Sequence, residues 1–244
     1  MVNIVKILIC GILLLFPVVT AAAPPATLNP DRELKPSYEY EDSRPTALPS
    51  GHYIKSAPFQ VAPHEIVVAA GYNEVFKRIQ ENLPGTGFTL NTANAKTGMI
   101  TCALQTEKPE EYVDMGVTTR TYGREEFIFP TAASAVYKLP YVNDTGDYYK
   151  VKRLTTLNCL ATLQLKKLSA HETKVNVSIS YMFTLQTSYE NTAFRKKGLP
   201  AENVTVNFMT NVEQKLNLGS TADPAWVTPQ SKGVLERALL DTAL

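Results

Sequence analysis

Histidine, cysteine and net charge are scarce in this chain of 244 residues. It has three histidines, His52, His64 and His171, and none lies at a helical or hairpin spacing from another. It also lacks a Cys-x-x-Cys pair, so the sequence does not predict a zinc site. The Gly-rich phosphate loop and the Gly-x-Ser-x-Gly and His-Glu-x-x-His motifs are absent as well. We therefore expect a protein that is not an enzyme, with no catalytic residues, metal or cofactor.

The balance of charge excludes another class of partner. Lysine and arginine number 24 and aspartate and glutamate 23, so without Lys6 in the leader the balance is 23 to 23. A chain near neutrality has no long-range attraction for nucleic acid or for an acidic membrane surface. The remaining route to catalysis is a carboxylate pair, which would require Asp114, Glu125 and a histidine to converge in a cleft.

One long apolar run occurs, at the N-terminus. Lys6 precedes ILICGILLLF and then small residues up to Ala23, which is typical of a secretory signal peptide. Cleavage after Ala21 or Ala22 fits the small-residue rule and gives a signal peptide over residues 1–22. The alternative is an uncleaved membrane anchor, because residues 4–23 have the ~20 apolar positions that a spanning helix needs. Either way, we expect an exported protein.

Two cysteines remain after such a leader, Cys102 and Cys159. In an exported protein an even pair indicates a disulfide, provided that the two strands are neighbours. Two buried free thiols are the other interpretation, and the sequence leaves both open.

A proline-rich segment follows the leader. Eight of the 16 prolines are crowded into residues 24–63, which have few large apolar side chains. Such a composition predicts an extended, disordered tether over residues 23–63. The remaining residues, 64–244, have the size of a single domain.

The domain begins with a strand over residues 65–70 and an amphipathic helix, YNEVFKRIQENL, that Pro84 and Gly85 end. GFTLN and GMITCALQ then predict two strands. Residues 153–167 and 174–186 place alternate apolar residues on one side and predict an antiparallel hairpin with one apolar face. The apolar positions are Leu157, Cys159, Ala161, Leu163, Leu165, Val175, Val177, Ile179, Tyr181, Phe183 and Leu185.

A sheet that is apolar on one face needs a cover. The helix at Tyr72 supplies part of it, and a helix that starts at Thr228-Pro229 supplies the rest, with Val234, Leu235, Ala238 and Leu239 facing inward. The predicted fold class is thus α+β, an antiparallel sheet covered on one face by an N-proximal helix and a C-terminal helix. Residues 202–211 fit a strand, although residues 203–217 also allow a helix.

An aromatic segment lies between the strands. Residues 137–141 and 148–151 predict a second hairpin around the turn at residues 143–147. Either this segment or the exposed polar face of the sheet offers a surface for a partner. Its tyrosines are Tyr112, Tyr122, Tyr137, Tyr141, Tyr148 and Tyr149.

The order of elements, with VFKRIQENL followed by GFTLNTANAKTGMITC, resembles the helix-grip domains of BamC-type outer-membrane assembly lipoproteins and uncharacterised exported proteins of Gram-negative bacteria. The resemblance covers residues 65–104. It implies a periplasmic, non-enzymatic protein that binds another envelope protein of unknown identity. The alternative is a carrier that holds a small apolar ligand between sheet and helix. The large inward side chains favour a filled core over a cavity.

Overall fold

Fifteen strands and two α-helices follow one another in the residues that the computed structural model describes, 38–39, 51–122, 125–140, 148–191, 200–219 and 224–244. Short 3-10 turns occupy Leu83–Thr86 and Pro109–Glu111. The strands and helices are β1 (Tyr38–Glu39), β2 (Gly51–Lys55), β3 (Glu65–Val68), α1 (Tyr72–Asn82), β4 (Thr89–Asn94), β5 (Met99–Thr106), β6 (Val113–Asp114), β7 (Val117–Tyr122), β8 (Glu125–Pro130), β9 (Ala135–Pro140), β10 (Tyr148–Lys167), β11 (Thr173–Asn191), β12 (Glu202–Met209), β13 (Leu216–Asn217), β14 (Trp226–Val227), β15 (Gln230–Ser231) and α2 (Val234–Asp241).

The hairpin of β10 and β11 is the centre of an eight-stranded sheet. The two strands pair from Tyr149 opposite Asn191 to Lys167 opposite Thr173. On the edge away from β11, the first part of β10 pairs with β9 and its later part pairs with β5. In turn, β9 pairs with β1 and β5 pairs with β4. Likewise, β11 pairs with β3 and with β12. All pairs in this sheet are antiparallel except β1 with β9, and the fold is α+β.

The hairpin predicted from strict alternation is confirmed. All eleven apolar positions are buried. Side chains alternate between the two faces of a strand, so every second residue of β10 and β11 points to the same face. The second hairpin, β9 with β10, and the strand over residues 202–209 are confirmed as well.

Both helices contribute to one apolar cluster with this inward face. From α1 come Val75, Phe76 and Ile79, and from α2 come Leu235, Leu239 and Leu240. The predicted start of α2 at Thr228-Pro229 is wrong, because Gln230 and Ser231 pair with β6 and the helix begins at Val234. For the same reason Val234 is exposed and does not face inward.

A second, smaller sheet covers the remaining part of the same face. It contains β2, β7 and β8, and its Phe127 and Phe129 form a second apolar cluster with Tyr137 and Val151. Along β10 a polar layer separates the two clusters. Its buried residues are Thr118, Thr131, Ser134, Arg153, Thr155 and Thr187.

Parts of the predicted tether over residues 23–63 pair with strands of the domain, which differs from the disorder that their composition predicts. Tyr38 and Glu39 pair with β9, and residues 51–55 form β2 against β7. Residues 56–64, here called the strap, connect β2 to β3. Backbone pairing explains the difference, because it needs no apolar side chains and leaves no periodic pattern in the sequence.

Side-chain amides hold the strap. Asn211 accepts a hydrogen bond from the Ala62 N–H (2.7 Å) and donates one to the Ala62 carbonyl (3.1 Å). Gln230 accepts from the Gln60 N–H (2.6 Å) and donates to the Pro58 carbonyl (3.2 Å). The strap is therefore bound through its backbone, while Val61 stays exposed.

The predicted signal peptide, its cleavage at Ala21 or Ala22 and the turn at residues 143–147 lie outside the described residues.

Candidate functional site

The outer face of the eight-stranded sheet is open to solvent along its central hairpin. Ser178 and Ser180 of β11 are exposed, and so are Leu160 and Gln164 of β10. Leu160 lies between Ala103 of β5 and Ser180, which in turn lies opposite Met209 of β12. This row crosses four strands, and two large apolar side chains in it are about half exposed, Leu160 at 49% and Met209 at 48%.

Uncharged residues fill the centre of this face. The outward positions of β10 between Asn158 and Gln164, and of β11 between Asn176 and Gln186, are serine, threonine, asparagine, glutamine, leucine and methionine. Charges begin only towards the ends of the hairpin, where Lys174 pairs with Glu65 at 2.7 Å and Lys152 pairs with Glu190 at 3.2 Å. An uncharged centre with half-exposed apolar side chains is chemically suited to contact another protein surface.

Three tyrosines of the predicted aromatic surface, Tyr112, Tyr137 and Tyr149, pack against apolar clusters in the structure. Tyr137 is buried and stacks on Phe129, with ring centroids 5.7 Å apart. Tyr112 packs against the larger apolar cluster and Tyr149 against the smaller one. These three tyrosines are packing residues. Tyr141 and the side chains of Tyr122 and Tyr148 lie outside the described residues.

The carboxylate of Glu236 lies at the centre of a buried polar cluster that the sequence did not predict. Tyr181 and Thr210 donate hydrogen bonds to its Oε1 and Ser231 donates one to its Oε2, each at 2.7 Å. Burial and the Glu236 charge raise the pKa of the Tyr181 hydroxyl, which therefore stays protonated and donates. Glu236 has no exposed surface, so the cluster fixes α2 to the sheet and is closed to a substrate.

Two arginines form another buried cluster. Arg153 of β10 is 6% exposed, and its guanidinium carbon lies 5.6 Å from the centroid of the Phe129 ring. Arg120 of β7 lies over the Tyr137 ring at 5.5 Å. Arg153 also donates a hydrogen bond from Nη2 to the carbonyl of Thr131. No sequence pattern indicated this cluster, because an arginine at an inward position breaks the apolar alternation.

The two cysteines are free, buried thiols. Cys102 lies opposite Ala161, and Cys159 lies opposite Leu104, so the pair is diagonal across β5 and β10. A diagonal pair has its Cα atoms about 7 to 8 Å apart, beyond the usual span of a disulfide. The structure therefore has two buried free thiols at Cys102 and Cys159 rather than a disulfide.

The remaining chemical candidates are separate in space. Asp114 accepts a hydrogen bond from the Gly116 N–H, at a turn, and His64 and His171 are exposed. The side chains of His52 and Glu125 lie outside the described residues. Within the described ranges, no three His, Cys, Asp or Glu side chains are placed to hold a metal ion. The same part of the chain contains no helix that is both long and apolar enough to cross a membrane.

Comparison with protein-family models, curated proteins and solved structures gives no match. Function is therefore inferred from the chemistry of the chain itself.

Proposed function

We propose that the protein is a non-enzymatic, exported envelope protein that binds another envelope protein through the outer face of its eight-stranded sheet. The observation that carries this proposal is the uncharged centre of that face, with Leu160 and Met209 half exposed. A surface without cations has no attraction for nucleic acid or anionic lipid, so a protein is the partner that it fits. The N-terminal apolar run supports export to the periplasm, with the protein either released or held by that run.

The arrangement of two helices on one face of an antiparallel sheet supports the helix-grip interpretation and the resemblance to BamC-type proteins. Fold resemblance alone does not assign a function, so the proposal depends on the surface. A carrier of a small apolar ligand is less favoured. The core between the sheet and α2 is filled by the fully buried side chains of Tyr181, Phe183, Phe208 and Leu239. The rings of Tyr181 and Phe208 stack with their centroids 5.0 Å apart.

A matched pair of leucine variants tests the docking face. Leu160 is 49% exposed at the centre of the face, and Leu168 is 48% exposed in the turn between β10 and β11. Leu160→Lys places a charge in the proposed contact, whereas Leu168→Lys places the same charge outside it. We expect crosslinking in the envelope of a Gram-negative host to capture a stoichiometric protein with wild type and Leu168→Lys and at least tenfold less with Leu160→Lys.

Equal capture by both variants, or no stoichiometric protein with wild type, contradicts the proposal. Native mass spectrometry of the same preparations tests the carrier. A bound small molecule of a few hundred daltons would support the carrier and count against the docking face.

A further inference from the structure

We propose that the pair of Arg120 and Arg153 is a binding site for a phosphate group. This inference is independent of the docking face, since the pair lies on the covered side of the sheet, between the second apolar cluster and the polar layer. It starts from a local imbalance of charge.

Two positively charged side chains pack on one pair of stacked rings, with Arg153 buried and Arg120 partly buried. Arg153 lies against Phe129, Arg120 lies against Tyr137, and these two rings stack on each other, so the four side chains form one continuous stack. Burial, together with repulsion from Arg120, lowers the pKa of Arg153 to about 10, although Tyr137 opposes the shift. The Arg153 guanidinium therefore stays charged at neutral pH.

Contacts within the described part of the chain do not neutralise this pair. No ion pair with a carboxylate is formed by either arginine there. The Nε atoms of both are shielded from solvent and lack a hydrogen-bond partner in the same residues. Cation–π contact with a ring offsets only a small part of the cost of burying a charge without an ionic partner. A bound anion would supply both the missing charge and the missing acceptors.

Phosphate fits this pair better than a carboxylate does. A phosphate monoester carries a charge of about −1.5 to −2 at pH 7, which matches two guanidiniums, and its oxygens accept several hydrogen bonds. A carboxylate would balance only one of the two charges. Arg120 is only partly buried, so the phosphate meets Arg120 first and Arg153 lies deeper.

Thermal unfolding in phosphate and in sodium chloride at equal ionic strength tests the site. At ten times the dissociation constant, phosphate should raise the Tm of the wild type by about 3 °C relative to chloride. In Arg120→Gln this shift should disappear. Lys150→Gln is the matched control, because Lys150 lies on the opposite face of β10, and it should keep the shift.

The same variants separate a ligand site from a packing role. If the arginines repel each other, Arg120→Gln should be at least as stable as wild type in chloride. If the stack serves packing alone, Arg120→Gln should be less stable in both salts and phosphate should have no specific effect. Broadening of the ³¹P resonance of inorganic phosphate by the wild-type protein gives a reading that does not depend on whether a variant folds.

Vesicles distinguish the source of the phosphate. Binding to vesicles that contain phosphatidic acid, and not to pure phosphatidylcholine, would indicate a lipid headgroup. A response to inorganic phosphate without vesicle binding would indicate a soluble phosphate ester. No Tm shift and no ³¹P broadening with wild type, or an equal shift in Arg120→Gln, overturns the proposal.

Discussion

Single buried polar groups decide how the elements of this protein meet. Glu236 accepts hydrogen bonds from three hydroxyls that belong to β11, β15 and the end of β12. Arg153 lies at an inward position of β10 between Val151 and Leu157, where a leucine would continue the pattern. Neither role is readable from sequence. A glutamate in the first turn of a helix is usually solvated, and two of its three partners here, Tyr181 and Thr210, are 55 and 26 residues away.

The two thiols allow a prediction at the residue scale. Burial raises the pKa of Cys102 from 9.0 to about 12, and burial together with the charge of Glu236 raises that of Cys159 further. Since the thiolate is the reactive form, both should resist a disulfide reagent at pH 8 in the folded protein and react in urea. A thiol count before and after unfolding, without reductant, measures this. Absence of reactive thiols in urea would instead indicate the disulfide.

The same shifts have a consequence for stability. The folded protein keeps both thiols neutral, whereas the unfolded chain ionises them near the ordinary value. The contribution of the two neutral thiols to the free energy of unfolding is complete below about pH 9. The part due to Cys102 is lost as the pH rises through about 12. Urea titrations between pH 8 and pH 11 should show a smaller decline of the free energy of unfolding in Cys102→Ala than in wild type.

At the scale of elements, the start of α2 depends on one glycine. Gly233 precedes the helix with φ +74°, and a Cβ atom there would lie 2.9 Å from Cδ of Pro63 in the strap. Both the left-handed backbone and the close contact disfavour any other residue.

Gly233→Ala should therefore lower the free energy of unfolding by about 1 to 3 kcal/mol, measured by urea denaturation. Gly85→Ala is the matched control, because a Cβ atom at Gly85 meets nothing within 4 Å. It should change stability by no more than about 0.5 kcal/mol. Equal effects of the two variants would contradict the role assigned to Gly233.

Periodic elements were predictable and non-periodic ones were not. Val75, Phe76 and Ile79 predicted α1, and strict alternation predicted β10 and β11, because each pattern places apolar residues on one face. The small sheet of β2, β7 and β8 was missed, since Val117 and Ile128 are exposed and blur its alternation. Pro229 suggested a helix start, but the backbone pairing of Gln230 with Asp114 delays it. The docking face was visible as the polar side of the hairpin, whereas the arginine pair was not.

At the scale of the whole molecule, one hairpin carries two apolar clusters. Phe129 belongs to the cluster under the small sheet and Ile179 to the cluster under the helices, and both are buried. Because β10 and β11 pair without interruption through both regions, loss of one cluster should destabilise the other.

Phe129→Ala and Ile179→Ala should each cost about 2 to 5 kcal/mol, and both should lower the midpoint of a single transition. Urea unfolding followed by far-ultraviolet circular dichroism and by fluorescence of Trp226, the one tryptophan, measures this. Two separate transitions in Phe129→Ala would show that the clusters unfold independently.

The strap gives the N-terminal end of the chain a mechanical property. Residues 51–68 run from β2 through the strap to β3. The strap is hydrogen-bonded to Asn211 and Gln230, and its His64 carbonyl accepts a hydrogen bond from the Val177 N–H. Hydrogen bonds of an extended strand lie across its axis. A force applied along the chain from a tethered N-terminus would therefore act on all these hydrogen bonds at once, in shear. The strap would bear part of that force, so less of it would act on β11.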